Sequence, residues 1–581
     1  MIYAAPNFFH PAGRAFVVLA ALLAVIALAG CHRGAAPPST AELVEKFSAC
    51  RDDPRQHLKI AWQGSPYAEG GQPGSWIQRR LETHFNVSLD VNFVPVFSYD
   101  RLLRFKLIGG DIPDVYWLRN AGEAATAAAQ GFALELPYEV LVRHAPDYVR
   151  ELVRSAPDAW LLSLSHGRNH GLPTFNQSVA VYPFPGIWNR TWLERVGINE
   201  IPDTLTEMEE ALRRFRVGDP DGDGKKDTFG YCPWRPGAST GALDRSFEEI
   251  FGAFGVQQNC WLVREDRVVW GATLPGAKEA LATLRRWYAG GLIHPDYMTL
   301  PIGNLEVRNQ LISGRVGYIM GFNLGGVGAF DSRLPSSLQT LHAAVHAGEQ
   351  LAPGRLPAGP RGERGVRTWG GSIGGIVMFG PQLARTPEKL ARVLRIFNEA
   401  CRDDTLAVEL RVAQRGTHWE WDPEFGIRKL PPYDAKPYAP RELLGEGILT
   451  SMDTSYGYFL PFSPSRELAE RFTTTRGREF RDTHQRPEWG VQDALLMADT
   501  VPSAAKHLVN LVALQAVAFT EIIIGKRPLE AFEDFVARWR AQGGDLLTRE
   551  ANELYAQKQA IRARVDTLLA AAPPRSNPSS P

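Results

Sequence analysis

Four aspartates fall close together in the stretch "GDPDGDGKKDTFG" at Gly218–Gly230. Carboxylates at that spacing repel unless a cation or hydrogen bonds offset them. Oxygen ligands at alternating positions, with glycine allowing a sharp turn, converge on a hard cation. Ca²⁺ suits such a loop because it takes about six to eight oxygens in flexible geometry, whereas Mg²⁺ dehydrates reluctantly. Asp219, Asp221 and Asp223 take the first, third and fifth places, Gly224 the sixth, the Lys225 carbonyl the seventh and Asp227 the ninth. The twelfth place is Gly230, where an EF-hand has its bidentate Glu. The shell must then be closed by the Thr228 backbone or by a carboxylate from Asp244, Glu248 or Glu249. A structural Ca²⁺ is expected.

No comparable pattern marks a reaction centre. With 64 Asp+Glu residues, carboxylate pairs abound and none is singled out. His170 in "GRNHG" and the "RGTHWEW" stretch at Arg415–Trp421 read as structural hydrogen-bonders. There is no Gly-x-Ser-x-Gly elbow, no His-Glu-x-x-His and no Walker loop. The expectation is a protein that binds without catalysis. Lys+Arg 64 balances Asp+Glu 64, which gives no support to nucleic-acid binding. The 15 tryptophans supply flat apolar faces for core packing or ligand stacking.

The elements that would position these residues begin after an export signal. His10 and Arg14 precede the apolar run Ala15–Ala29, which ends in "LAGC" at Leu28–Cys31. That ending resembles a bacterial lipobox, which implies lipid modification of Cys31 and a membrane anchor. "GAAPPSTA" at Gly34–Ala41 reads as a tether. Export permits disulfides, and Cys232–Cys260 is the first-choice pair among Cys50, Cys232, Cys260 and Cys401. Strands expected at Leu58–Gln63 and Ser88–Val94, and a turn followed by a short buried strand within Gly109–Leu118, alternate with helices, which argues for an α/β layer. Ligands of such sheets sit beyond the strand C-terminal ends, which places Trp62, Gln63, Tyr116 and Trp117 at an opening. Leu205–Phe215 reads as a helix capped at Asp203 or Thr204, and helices dominate after Pro387.

Several segments, taken in order, resemble the family 1 extracellular solute-binding proteins, the substrate-capturing lipoproteins of ABC importers. They are "LAGC", "GGDIPDVYW", "IWNRTWLERVGINEIPDTLTEMEEALRRF", "LISGRVGYIMG" and "EIIIGKRPLEAFEDFVARWRAQGGDLLTREANELY", and they span most of residues 55–560. The resemblance is to the large oligosaccharide-binding branch. It implies an α/β, two-lobed, periplasmic-binding-protein-like fold that closes on a sugar and delivers it to permease subunits. It also implies a calcium loop at Asp219, Asp221, Asp223, Lys225 and Asp227. The expected division is a signal peptide over 1–31 and a tether over 32–54. The first lobe is expected over 55–175 plus about 340–400, and the second over 176–339 plus about 401–570. A disordered tail is expected at 571–581. Stacking residues expected at the cleft are Trp62, Tyr116, Trp117, Trp234, Phe322 and Trp369. The expected polar contacts are Gln63, Ser65, Asn176, Asn189, Arg235 and Ser372. Arg235, Arg315 and Arg367 read either as partners for uronates or as plain surface arginines. The other readings are a secreted carbohydrate-active enzyme with a calcium staple, and a sensory or scaffolding lipoprotein of the same fold.

Overall fold

Strands alternating with helices build two cores that do not merge. The computed structural model describes residues 38–63, 76–92, 98–175, 182–234, 245–300, 304–321, 327–333, 337–368, 375–424, 426–431 and 466–573. The signal segment and Cys31 lie outside them. Helix α1 (Thr40–Ala49) starts at a capping box between Ser39 and Glu42 and buries Leu43 and Phe47 in the first core. This corrects the expected tether over 32–54, because two apolar side chains one turn apart dock the segment on the first lobe.

The first lobe continues through β1 (Leu58–Gln63), α2 (Trp76–Phe85), β2 (Val87–Asn92), α3 (Tyr99–Ile108), β3 (Val115–Leu118) and β4 (Gly171–Pro173). β1 pairs in parallel with both β2 and β3. Parallel connections cover both faces of a sheet, so all four residues of β3, "VYWL", are buried. Asp114, just ahead of β3, accepts from the Ala61 amide at 3.0 Å, Gln382 Nε2 at 3.1 Å and Lys389 Nζ at 3.0 Å. One buried carboxylate thus ties three segments of the lobe.

The second lobe holds β5 (Gly186–Asn189), α4 (Arg190–Arg195), α5 (Leu205–Val217), β6 (Phe229–Tyr231), α6 (Pro275–Ala289), β7 (Val316–Met320) and β8 (Leu351–Gly354). α5 opens with a capping box at Thr204, matching the sequence reading. The chain returns to the first sheet as β9 (Ile376–Phe379), followed by α7 (Pro387–Arg402) and α8 (Asp404–Val412). It re-enters the second lobe for α9 (Ala504–Ile523) and α10 (Ala531–Trp539), and α11 (Asp545–Ala571) follows. The sheets have the orders β2-β1-β3-β9-β4 and β8-β5-β7-β6.

Two expectations change. Residues from about 340 were assigned to the first lobe, but β8 pairs with β5 in the second sheet. Residues from about 401 were assigned to the second, but Leu406 and Leu410 of α8 pack in the first core. The boundaries therefore fall between β8 and β9 and after α8. The Cys232–Cys260 disulfide is also absent, and Cys50, Cys232, Cys260 and Cys401 are free thiols. Cys232 belongs to a small cluster around β5 and β7, whereas Cys260 lies in the large core of the second lobe.

α11 joins the cores. Leu547 and Ala551 pack in the second, Ile561 and Val565 in the first. Between them Lys558 is 5% exposed, and its ammonium donates to Asp158 Oδ2 at 3.0 Å and to the Ala494 carbonyl at 2.6 Å. Removing the lysine would leave the Asp158 carboxylate with only the more distant Arg562, at 3.8 Å, and Gln492, at 3.5 Å. Lys558→Met should therefore lower stability by about 3 kcal/mol in a urea titration. An unchanged midpoint would contradict this assignment.

Candidate functional site

The C-terminal ends of β1, β2 and β3 are held before any ligand arrives. Gln63 and Asn92 interlock, with Gln63 Nε2 donating to the Asn92 carbonyl at 3.0 Å and Asn92 Nδ2 donating to Gln63 Oε1 at 2.9 Å. Trp62 turns the other way and meets Phe397 of α7 edge-on, with ring centroids 5.9 Å apart. Tyr116 donates its hydroxyl to the Phe132 carbonyl at 2.9 Å, and burial raises its pKa. Trp117 lies edge-on to Tyr99, with the Arg119 guanidinium 5.7 Å from its ring. At Gly375 the backbone presses so close that a Cβ would come within 2.3 Å of the indole. All four residues expected at the opening are buried within the first lobe. The cause is the covered sheet, in which successive side chains point to opposite faces and each face carries packing.

In the second lobe Asn189 is also buried. Its Oδ1 caps α4 by accepting from the Trp192 amide at 3.0 Å, and its Nδ2 donates to Glu349 Oε2 at 2.9 Å. Trp234 is half-buried against the cluster around β5 and β7, and its carbonyl accepts from Ser246 Oγ at 2.9 Å. Ser65, Asn176, Arg235, Phe322, Trp369 and Ser372 lie outside the described residues.

What the sequence reading missed is a buried charged group adjoining two of those segments in sequence. Arg245, next after 235–244, donates to Glu248 Oε2 at 2.9 Å and to the Arg367 carbonyl at 3.2 Å. Arg367, two residues before Trp369, pairs with the other Glu248 oxygen at 3.2 Å. Burial lowers the Arg245 pKa to about 10, so it stays charged at neutral pH. Arg367 is thus neither a surface arginine nor open to solvent, because its guanidinium is buried on Glu248. Glu249 faces elsewhere and accepts from the Tyr231 hydroxyl at 2.5 Å. Asp493, also wholly buried, accepts from the Trp261 and Leu495 amides, both at 2.8 Å. Burial raises Glu249 and Asp493 each to about 7.

The acidic loop gathers three of its predicted ligands. One carboxylate oxygen each from Asp219, Asp221 and Asp223 lies within 4.8 Å of the others. Asp219, Gly222 and Gly224 take positive φ (48°, 75° and 81°), which curls the chain around the carboxylates. Asp219 Oδ1 and Asp221 Oδ1 are buried and receive no hydrogen bond. Burial first, then the Asp219 and Asp223 carboxylates, push the Asp221 pKa up. Such a constellation fits a cation that would accept those lone pairs. Asp227 is exposed and outside this group. The Lys225 ammonium sits on Asp223 Oδ2 at 2.7 Å. Glu248 and Glu249 were candidates to close the shell, but their oxygens serve Arg245, Arg367 and Tyr231; Asp244 lies outside the described residues. From outside, Arg195 Nη1 donates to the Pro220 carbonyl at 2.8 Å and to Glu349 Oε1 at 2.7 Å. Burial opposes ionisation of Glu349, yet hydrogen bonds from His342, Asn189 and Arg195 hold its pKa down at about 2.

No family model matches the chain. In sequence it is similar to the lipoprotein LipO of Bacillus subtilis (strain 168), 23% identical over 496 residues, or 82% of this chain and 88% of LipO. It is also 24% identical over 313 residues to FusA of Streptococcus pneumoniae, a fructooligosaccharide ABC transporter substrate-binding protein, covering 50% of this chain and 54% of FusA. The structure of FusA in complex with kestose superposes with a TM-score of 0.57 at 16% identity, over 87% of this chain and 100% of that one. A FusA EF-hand mutant in complex with fructo-nystose gives 0.58. An extracellular solute-binding protein from Bifidobacterium longum subsp. infantis gives 0.60 at 15% identity, over 87% and 98% of the two chains. The fold is that of a solute-binding protein. The resemblance read from the sequence motifs is borne out, and with it the two-lobed α/β architecture. Among the described residues expected at the ligand side, Trp62, Gln63, Tyr116, Trp117 and Asn189 are buried and Trp234 is half-buried.

Asp493 gives the fold a pH dependence. In the unfolded chain a carboxyl loses its proton near pH 4, and in the folded chain Asp493 loses it near pH 7. Between these values the folded state holds the extra proton, so the Asp493 contribution to stability falls as pH rises. Histidines such as His484, lowered by burial to about 4, act in the opposite sense. The contribution is therefore read as a difference. Relative to wild type, Asp493→Asn should gain on the order of 2 kcal/mol between pH 5 and pH 8 in urea titrations; parallel profiles would refute it.

Proposed function

We propose that the protein is an exported, lipid-anchored solute-binding protein that captures an oligosaccharide between its lobes and passes it to an ABC importer. The observation that carries this reading is the pair of separately cored lobes linked by α11 and Lys558. Enclosure by two lobes supplies affinity without chemistry. A ligand touching both lobes stabilises the closed arrangement by as much as it binds that arrangement better. Sugar rings stack their C–H faces on aromatic side chains, while hydroxyls need directional partners. Trp234 with Phe322 and Trp369 are the stacking residues of this reading, and Ser65, Asn176, Arg235 and Ser372 its polar ones. The buried Arg245–Glu248–Arg367 group adjoins in sequence the segments bearing Arg235, Trp369 and Ser372. The similarity to FusA and its complexes supports a sugar as the guest, and the similarity to LipO supports the lipid anchor at Cys31.

The acidic loop is the calcium site of this reading. Asp219, Asp221 and Asp223 would hold Ca²⁺, with the Lys225 carbonyl completing part of the shell. The ion would cancel the repulsion that leaves two buried oxygens without donors and would fasten the end of α5 to β6. That is a structural role, and the EF-hand described for FusA supports it.

Two measurements test the proposal. Calcium added to metal-stripped protein should raise Tm by several degrees, and Asp221→Asn should abolish the rise; magnesium should produce little. Equal melting curves with and without calcium would remove the site. A panel of neutral and uronate oligosaccharides, followed by calorimetry and chromatography, should show a ligand bound with micromolar or tighter Kd and recovered unaltered. Cleaved product would instead identify a carbohydrate-active enzyme.

A further inference from the structure

Helix α3 presents an apolar surface to solvent. Leu102, Phe105 and Ile108 are 37%, 66% and 67% exposed, while Tyr99, Leu103 and Leu107 of the same helix are buried in the first core. Because the inner face is fixed, the outer residues cannot turn inward. The other large exposed hydrophobics among the described residues are aliphatic and dispersed along the chain. Contiguous exposed apolar surface on a soluble domain marks an interaction site more often than scattered residues do.

The charge on this face says what covers it. At about 100° per residue, Arg101, Phe105 and Ile108 fall on one line, with Leu102 and Arg104 to either side. Arg101 and Arg104 are both exposed. Of the neighbouring acids, Asp100 is matched by Arg119 at 2.8 Å and Asp111 by Lys106 at 2.7 Å. Glu123, which accepts from the Arg119 amide at 3.2 Å, interacts with Arg104 and leaves Arg101 as the uncompensated charge among the described residues. The face is therefore positive within a chain whose total charge is balanced, and its complement is acidic. Side chains that enter a bilayer keep their arginines at the rim. Here Arg101 shares the central line with the apolar residues, a mixture of aromatic, aliphatic and arginine that suits a protein interface. Three apolar side chains cover far less than the roughly 800 Å² per partner of a lasting complex, which fits contact that forms and releases.

We propose that this face of α3 docks transiently on a membrane subunit of the importer, at a surface offering carboxylates between apolar side chains. The assignment rests on the carrier reading above. α3 runs from the C-terminal end of β2 towards the start of β3, and Phe105 and Ile108 stand on its last turns, so a partner seated there leaves the ligand side of the first lobe uncovered.

A photo-crosslinking amino acid placed at position 105 of the full chain, in cells that make the protein, tests the proposal; the exposed position 45 on α1 serves as control. Mass spectrometry should identify an integral-membrane transport subunit in the adduct from position 105 and not from position 45. Arg101→Glu with Arg104→Glu should cut that adduct at least tenfold, with melting temperature and sugar affinity unchanged. Sugar binding without the adduct overturns the docking face alone, as does an adduct only with lipid or only with a second copy of the chain. The adduct in a protein that binds no oligosaccharide contradicts the carrier reading and leaves the docking face standing.

Discussion

The Lys558 ammonium, buried between the Asp158 carboxylate and the Ala494 carbonyl, is where the two halves of the molecule are held to each other. Asp158 is flanked by Ala156 and Ala159 of the first core, and Ala494 belongs to the second. A lysine in such a place is stable only with its partners present. The helix that carries it contributes side chains to both cores, Leu547 and Ala551 on one side of Lys558 and Ile561 and Val565 on the other. The closure proposed for capture would have to keep this helix engaged with both cores.

The rest of the frame follows the same logic of paired buried charge. Asp114 ties β1, the segment after β9 and α7. Glu248 ties the bases of two segments on the second lobe through Arg245 and Arg367. Arg195 joins the acidic loop to Glu349, which in turn holds Asn189 and His342. A cation bound at Asp219, Asp221 and Asp223 would thus be coupled to the second sheet through two hydrogen-bonded steps. That arrangement suits a staple better than a sensor, because the groups linking the loop to the sheet are already committed to hydrogen bonds.

The fold was legible where order and pattern carried it. Alternating strands and helices, the Thr204 cap and the motif around Asp114 all correspond to observed elements. The clustering of three of the five expected loop positions was legible from spacing alone, because a short loop brings alternating residues together whatever the tertiary context. The residues at the strand ends were not. Trp62 stands near the C-terminal end of its strand and Tyr116 within the first half of its own, and rule-of-thumb placement ignores that both sheet faces are covered. Asn189 was expected to face a ligand and instead caps a helix. α1 was hidden inside an expected tether, although Ser39 and Glu42 carried the capping-box signal. The Arg245–Glu248–Arg367 group joins residues more than a hundred positions apart, and no local pattern announces such a pairing.

Capture by enclosure requires that the separation of the lobes depend on the guest. Small-angle scattering on the full chain, with and without a saturating oligosaccharide shown to bind, measures that separation directly. The account predicts a smaller radius of gyration and a shortened longest dimension in the loaded protein. Superimposable scattering curves for the two states would contradict it.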